Sequence, residues 1–482
     1  MIEPAVPWGY LFNLSLKYLS QSIASTTKRK DFSELLQLTT DLCLAQYNAQ
    51  KFDIWPDITR PSSEIISFIH ELVVRIDLYS LPQTSVSFTS EWCRFMCTWM
   101  KRDRRCTSKL ISLLSEFETL MNNALNLSNN DSCVVISKKD KKCRLLLSCS
   151  SILKCAIFQD FSTLNEAFNY PIDILNVNYM MYPIYETTDS IILLPLTLGV
   201  GNWYEVLFNL AKRESHNGVF AKDVGYMMED FITKKMQSHG IKNHTGEYSY
   251  LDVSGEVDIL CEGEKWDAYI ESKKKSFSRN ALKGDDLFIW SELLELFYSQ
   301  MQCARTENGA RNYSPFQLKD NRKGTSYTYN WLPQYFKKKG SGCFQSRDRH
   351  ALKITLTLKE YGPMQDKVVF TRILESMLNK QITADFTALA AIYSEREIDD
   401  FKKYFSQVNE TIADIDKYYR AIGRDNPTFF CRLYSMEQMY FLIRQSKSNN
   451  HFLSLLAGST VTTGTEDFWN EYENTKQFIE IE

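Results

Sequence analysis

The sequence predicts a mixed fold, α+β or α/β, with mostly helical N- and C-terminal regions around a strand-rich centre. Three observations predict it. Apolar residues recur with a 3.6-residue period through 63–80 and 106–127. Short β-type runs cluster between 247 and 273, bounded by helical patterns on either side. Helical patterning returns over the last ninety residues. Three regions follow: a mostly helical 1–200 with a small hairpin, a core 201–393 with a basic and aromatic insertion at 306–349, and a helical 394–482.

In the first region, Lys101, Arg102, Arg104 and Arg105 form a basic knot between the two periodic segments and read as solvated charges. CVVI, SKKDKK and CRLLLSC then read as two strands around a charged turn. The apolar run Ile191–Val200 is about ten residues long, half of what a membrane span needs, and reads as a buried strand or core segment. In the core, 223–238 reads as a helix ending near Gly240. Three strands follow, Glu247–Val253, Glu256–Cys261 and Trp266–Lys273, then a helix over Asp285–Arg305. ALKITLTL (351–358) alternates as a strand, 366–379 reads as a helix, and DFTALAAIY (385–393) as a buried strand. Ser394 and Glu397 have the spacing of a capping box at the start of the last region.

Composition excludes several classes. The chain has 482 residues, a net charge of −3, 44% hydrophobic and 24% charged residues, so wholesale disorder and fibrous repeats do not fit. The near-neutral balance excludes a uniformly basic nucleic-acid coat. The start carries Glu3 and no basic segment, so it is not read as a signal peptide; a cytoplasmic protein without membrane contact is the expectation. Twelve cysteines include no C-x-x-C pair, and six histidines are scattered, so reduced buried thiols are expected rather than zinc knuckles. There is no G-x-x-x-x-G-K-[ST], G-x-S-x-G or G-x-G-x-x-G.

The chemistry-bearing segment is GEVDILCEGEKWDAYIESKKK, 255–275. Side chains alternate along a strand, so Glu271 and Lys273 share a face. On the preceding run Glu256 and Asp258 are expected on one face, with Val257, Ile259 and Cys261 on the other. Pairing of the two runs brings two or three carboxylates and one ammonium together. Mutually repelling carboxylates hold a divalent cation readily, and Mg²⁺ takes hard oxygen ligands. A lysine beside it can orient water and offset phosphate charge. A similar spacing, Asp385 with Asp400-Phe401-Lys402, fails because Asp400 and Lys402 follow the capping box in a helix, where residues two apart face different ways.

These residues resemble the PD-(D/E)XK nuclease superfamily. The order helix, meander with D…E-x-K, second helix is present, and Gly255-Glu256-Val257-Asp258 is similar to the G-E-hydrophobic-D form of several branches. Glu229 matches the first-helix acid by position. Gln300 matches a second-helix glutamine of some branches, on a stripe with Leu293, Leu296 and Phe297. No Pro precedes Asp258, and about 45 residues separate the second helix from ALKITLTL, so 351–358 and 385–393 both qualify as the last core strand. The resemblance spans about 223–393. It implies a restriction-endonuclease-like αβββαβ core and a Mg²⁺- (or Mn²⁺-) dependent endonuclease. Its catalytic residues would be Asp258, Glu271, Lys273, Glu229 and Gln300, with Asp258, Glu271 and Glu229 as metal ligands. Double-stranded DNA would be the substrate, in a restriction or anti-phage role. Symmetric duplex cutting would call for a homodimer, and ATP-driven movement for a separate helicase or NTPase chain.

Substrate contact is expected from Lys274 and Lys275 and from Lys319, Arg322, Lys323, Lys337, Lys338 and Lys339, with Arg347 and Arg349 nearby. Tyr313, Phe316, Tyr327, Tyr329, Trp331, Tyr335 and Phe336 lie among them. Cations grip phosphates and aromatic faces stack on bases. Two other readings use the same segment: an RNA-directed nuclease, and a helical interaction protein whose nuclease fold is degenerate.

Overall fold

The computed structural model describes residues 6–17, 29–47, 65–79, 84–130, 132–158, 182–274, 276–313, 315–331, 334–337, 344–347, 349–379, 393–423, 430–458 and 468–479. The chain divides into two compact units. One comprises 1–51 and 75–227, the other 52–74 and 228–482.

The first unit has helices at Val86–Arg102, Ser108–Leu127 and Asn202–Glu214. Ser85 and Thr107 cap the first two by accepting backbone N–H groups. A four-stranded sheet joins Val134–Ser137, Ser190–Leu193, Ile184–Glu186 and Ile157–Phe158 in that spatial order. The expected 133–149 hairpin is corrected here. Val134–Ser137 pairs with Ser190–Leu193, and CRLLLSC belongs to a helix, Lys141–Leu147. Asp140 starts that helix by accepting the Lys142 N–H, so the charged "turn" is a helix cap. The basic knot is partly paired: Lys101 meets Glu118, and Arg105 meets Asp103 and Asp223.

Helix α1, Val224–Ser238, begins at the end of the first unit and continues into the second. The meander is β1 Asn243–Tyr250, β2 Val253–Glu262 and β3 Trp266–Lys273. Then comes α2, Asp286–Asn312. Four strands follow: β4 Phe316–Asp320, β5 Thr325–Tyr329, β6 Gln334–Lys337 and β7 Phe344–Arg347. β8 is His350–Thr357, α3 Lys367–Asn379, α4 Glu395–Ala421, β9 Cys431–Ser435 and α5 Met436–Gln445. The main sheet has the order β9-β8-β3-β2-β1-β4-β5. Both contacts of β8 are parallel and the remaining contacts antiparallel.

Three expectations change. The stretch 306–349 is not a mere insertion: α2 runs to Asn312, and β4 and β5 extend the main sheet beyond β1. The C-terminal region is not only helical, because β9 adds a strand beside β8. Of the two candidates for the last core strand, 351–358 is taken: β8 pairs in parallel with β3, Thr355 beside Glu271. The alternative, 385–393, lies outside the described residues except for Tyr393. Covered on both faces and flanked by two strands, β8 buries Lys353, Thr355 and Thr357 too. Lys353 pairs with Glu307 at 3.7 Å and stands over the Tyr419 ring. The capping box at α4 forms as expected, with Ser394 and Glu397 satisfying each other's backbone N–H groups.

The side-chain alternation of β2 breaks at Asp258. His244 pairs with Leu260 but Gly246 with Val257, so β2 carries one extra residue opposite Thr245, a β-bulge. Val257 and Leu260 therefore both enter the cluster with Tyr248, Tyr269 and Cys303. The next residue, Cys261, turns to Met236 of α1. Helices α1 and α2 thus cover opposite faces of the sheet. Gly246 allows the bulge, with φ +152° and a position where a β-carbon would lie 2.7 Å from the Lys319 backbone.

Candidate active site

The pairing of β2 with β3 stops at Ile259–Ile270, one position before Asp258 and Glu271. Beyond it Asp258 replaces the ladder with its side chain: Oδ2 accepts the Ser272 N–H at 2.6 Å. The bulge re-aims Asp258 toward β3, where strict alternation would have left it beside Glu256. Glu271 lies on β3, buried, and its Oε1 accepts no hydrogen bond from the protein. Lys273 follows on the same strand and donates to Gln302 Oε1 at 2.9 Å. Glu229 comes from α1, nearly buried, with Oε2 2.9 Å from Nη1 of Arg322.

The charges of these residues act on one another. Burial, then the charge of Asp258, pushes Glu229 up to about 8, against the pull of Arg322. Burial and then Asp258 hold Glu271 well above the carboxylate range, opposed by Lys273. Asp258 itself is raised by burial, with the Ser272 N–H and Lys273 pulling it down. Burial raises all three carboxylates, and the charge of Asp258 adds to it at Glu229 and Glu271, an electrostatic cost of ionisation that a divalent cation would relieve. The buried Oε1 of Glu271, which meets no donor, is the observation that fits such an ion. The carboxylates are not assembled as a ready-made cage: among the described residues no three His, Cys, Asp or Glu side chains are so grouped. Asp258 is drawn to the Ser272 amide and Glu229 to Arg322.

Gln300 is buried; its Nε2 donates at 2.8 Å to Oγ1 of Thr355, the residue beside Glu271 in the β8–β3 register, and its Oε1 meets no donor. A second glutamine of α2, Gln302, two residues on and on a different side of the helix, contacts Lys273.

The cationic contacts divide similarly. Lys274 and Lys319 are exposed. Lys323 is exposed and pairs with Asp320 at 3.3 Å. Arg322 is exposed too, and its guanidinium meets Glu229 and Thr245. Arg349 is buried against Asp267, whose other oxygen accepts from Tyr329. Lys337 ends β6, while Lys275, Lys338 and Lys339 lie outside the described residues. Of the described aromatic side chains, Phe316 and Tyr329 are buried anchors of β4 and β5, Tyr327 stacks on His244, Trp331 lies under Arg311, and Tyr313 is exposed. The side chains of Tyr335 and Phe336 lie outside those described.

Among the described residues no helix is long and apolar enough to cross a membrane. Comparison with family models, with curated proteins and with solved structures yields no match to this chain.

Proposed function

We propose that the chain is a divalent-cation-dependent nuclease that hydrolyses phosphodiester bonds in DNA, with Asp258, Glu271, Glu229 and Lys273 at its centre. One observation carries the reading. A buried carboxylate oxygen without a donor, on Glu271, lies where β2 and β3 part, coupled to two further carboxylates and next to a lysine. Asp258, Glu271 and Glu229 would hold the cation, Mg²⁺ or Mn²⁺, through hard oxygens. When bound, such an ion supplies Lewis acidity toward a phosphoryl oxygen and lowers the pKa of water. The chain's own contribution is positional. Gln302 holds the Lys273 ammonium beside the carboxylates, where it offsets phosphate charge and hydrogen-bonds an approaching water. Ser272 keeps Asp258 aimed at the gap through its backbone N–H. A restriction or defence role, in the cytoplasm, is part of the same proposal.

A second reading, a binding protein with a degenerate nuclease fold, is favoured by the dispersed carboxylates and the Arg322–Glu229 pair. Incubation of purified protein with plasmid DNA, and in parallel with RNA, under Mg²⁺ and Mn²⁺ decides between them. Cleavage lost in Asp258→Ala and in Lys273→Ala supports the nuclease. Cleavage at the parent's rate in either variant, or none in the parent, sinks it.

A further inference from the structure

Tyr298, Gln302 and Arg305 follow one another at i, i+4 and i+7 along α2 and share one edge of the helix. Gln302 fixes that edge beside the site through its bond to Lys273. Tyr298 is 44% exposed, its ring centroid 5.4 Å from the same ammonium. Arg305 is half-buried and, among the described residues, has no carboxylate within ion-pairing distance, in contrast to Arg322 and Arg349. Its Nε donates to the Tyr248 hydroxyl at 3.2 Å, which Thr306 also contacts at 3.0 Å. Its Nη2 lies 2.9 Å from where a β-carbon on Gly255 would stand, so the glycine keeps its place open. Its charge reaches Glu271. A guanidinium oriented by neutral hydroxyls and lacking a counter-ion is built to receive an anion, and its planar fork matches phosphate.

We propose that Arg305 and Tyr298 form the substrate-binding wall of the carboxylate site. The wall takes one unpaired nucleotide, its phosphate on Arg305 and its base against Tyr298. This rests on the nuclease reading and narrows it: a single exposed ring at the rim of the site stacks best on a base whose own face is free, so single strands, flaps or opened ends are the substrate class.

The test is fluorescence anisotropy of a labelled single-stranded oligonucleotide, and of its duplex, with the full chain in EDTA across a salt series. Tyr298→Ala should weaken single-strand binding by about 5- to 100-fold, the worth of one stacked base, and duplex binding much less. Arg305→Ala should flatten the dependence of log K on log salt by about 0.7, one phosphate contact, and Arg305→Lys should restore that slope at lower affinity. An unchanged slope in Arg305→Ala, or in Arg305→Lys and Arg305→Gln compared with each other should the alanine variant not fold, overturns the phosphate contact. Equal losses on single strand and duplex in Tyr298→Ala overturn the unpaired base. Parent cleavage that persists with binding insensitive to both residues removes the wall and leaves the nuclease. Binding that depends on both residues, without cleavage under any divalent cation, supports the wall and removes the nuclease.

Discussion

Glu229→Gln should stabilise the protein increasingly as pH rises, while reducing cation-dependent activity. Glu229 is held at about 8 against an ordinary 4.5, chiefly by burial and then by Asp258. The folded state therefore favours the protonated form, and its advantage is complete below about 4.5 and lost as pH rises through about 8. Within that interval stability should fall by ~1.36 kcal/mol per pH unit from this group, about 5 kcal/mol over the whole range. Glutamine is never ionised and removes this slope. Against it stands the lost pairing with Arg322, whose side chain is 41% exposed, so the pair is worth at most ~1 kcal/mol. Burial wins above neutral pH. At ~2–4 °C per kcal/mol, the melting temperature of the variant minus that of the parent should grow by about 3–5 °C per pH unit between pH 5.5 and 7.5. Differential scanning fluorimetry across that range, without divalent cations, measures it. A gap that stays constant with pH would refute a desolvated Glu229. With Mg²⁺ added, the parent should gain stability more at pH 8 than at pH 6, because ligand carboxylates must release protons, and the variant should gain less.

Gln302→Ala should slow cleavage by freeing the Lys273 ammonium, with little change in melting, whereas Gln300→Ala should destabilise by about 1–2 kcal/mol through its lost hydrogen bond to Thr355, which keeps its bond to Ser299, and leave cleavage near the parent's rate; paired cleavage and melting assays separate them. Gly255→Ala places a methyl 2.6 Å from the Tyr248 hydroxyl and should cost about 1–3 kcal/mol in chemical denaturation. Arg349→Ala leaves Asp267 buried without its cation and should cost about 3–5 kcal/mol, a loss that urea unfolding reads directly. Ser394→Ala removes the α4 cap and should cost ~1 kcal/mol by the same assay, with no effect on cleavage.

The sequence by itself determined the local elements. Periodicity and caps located α1, the meander, β8 and the starts of α2 and α4 to within a few residues, because those signals depend on neighbours along the chain. It also singled out Asp258, Glu271 and Lys273, since D…E-x-K on adjoining strands is a spacing argument, while Glu229 came only from the resemblance. What it could not hold is anything set by partners far apart in sequence. The β-bulge at Asp258 depends on the register with β1, so the assumed alternation failed there. Gln302 was not named because its contact with Lys273 depends on how α2 lies on the sheet. Arg322 and Arg349 read as phosphate grips until tertiary packing brought Glu229 and Asp267 to them, and Arg305 passed unnoticed because having no counter-ion is a property of a place, not of a sequence. A charge in the chain states only that water or a partner must solvate it; the folded structure decides which.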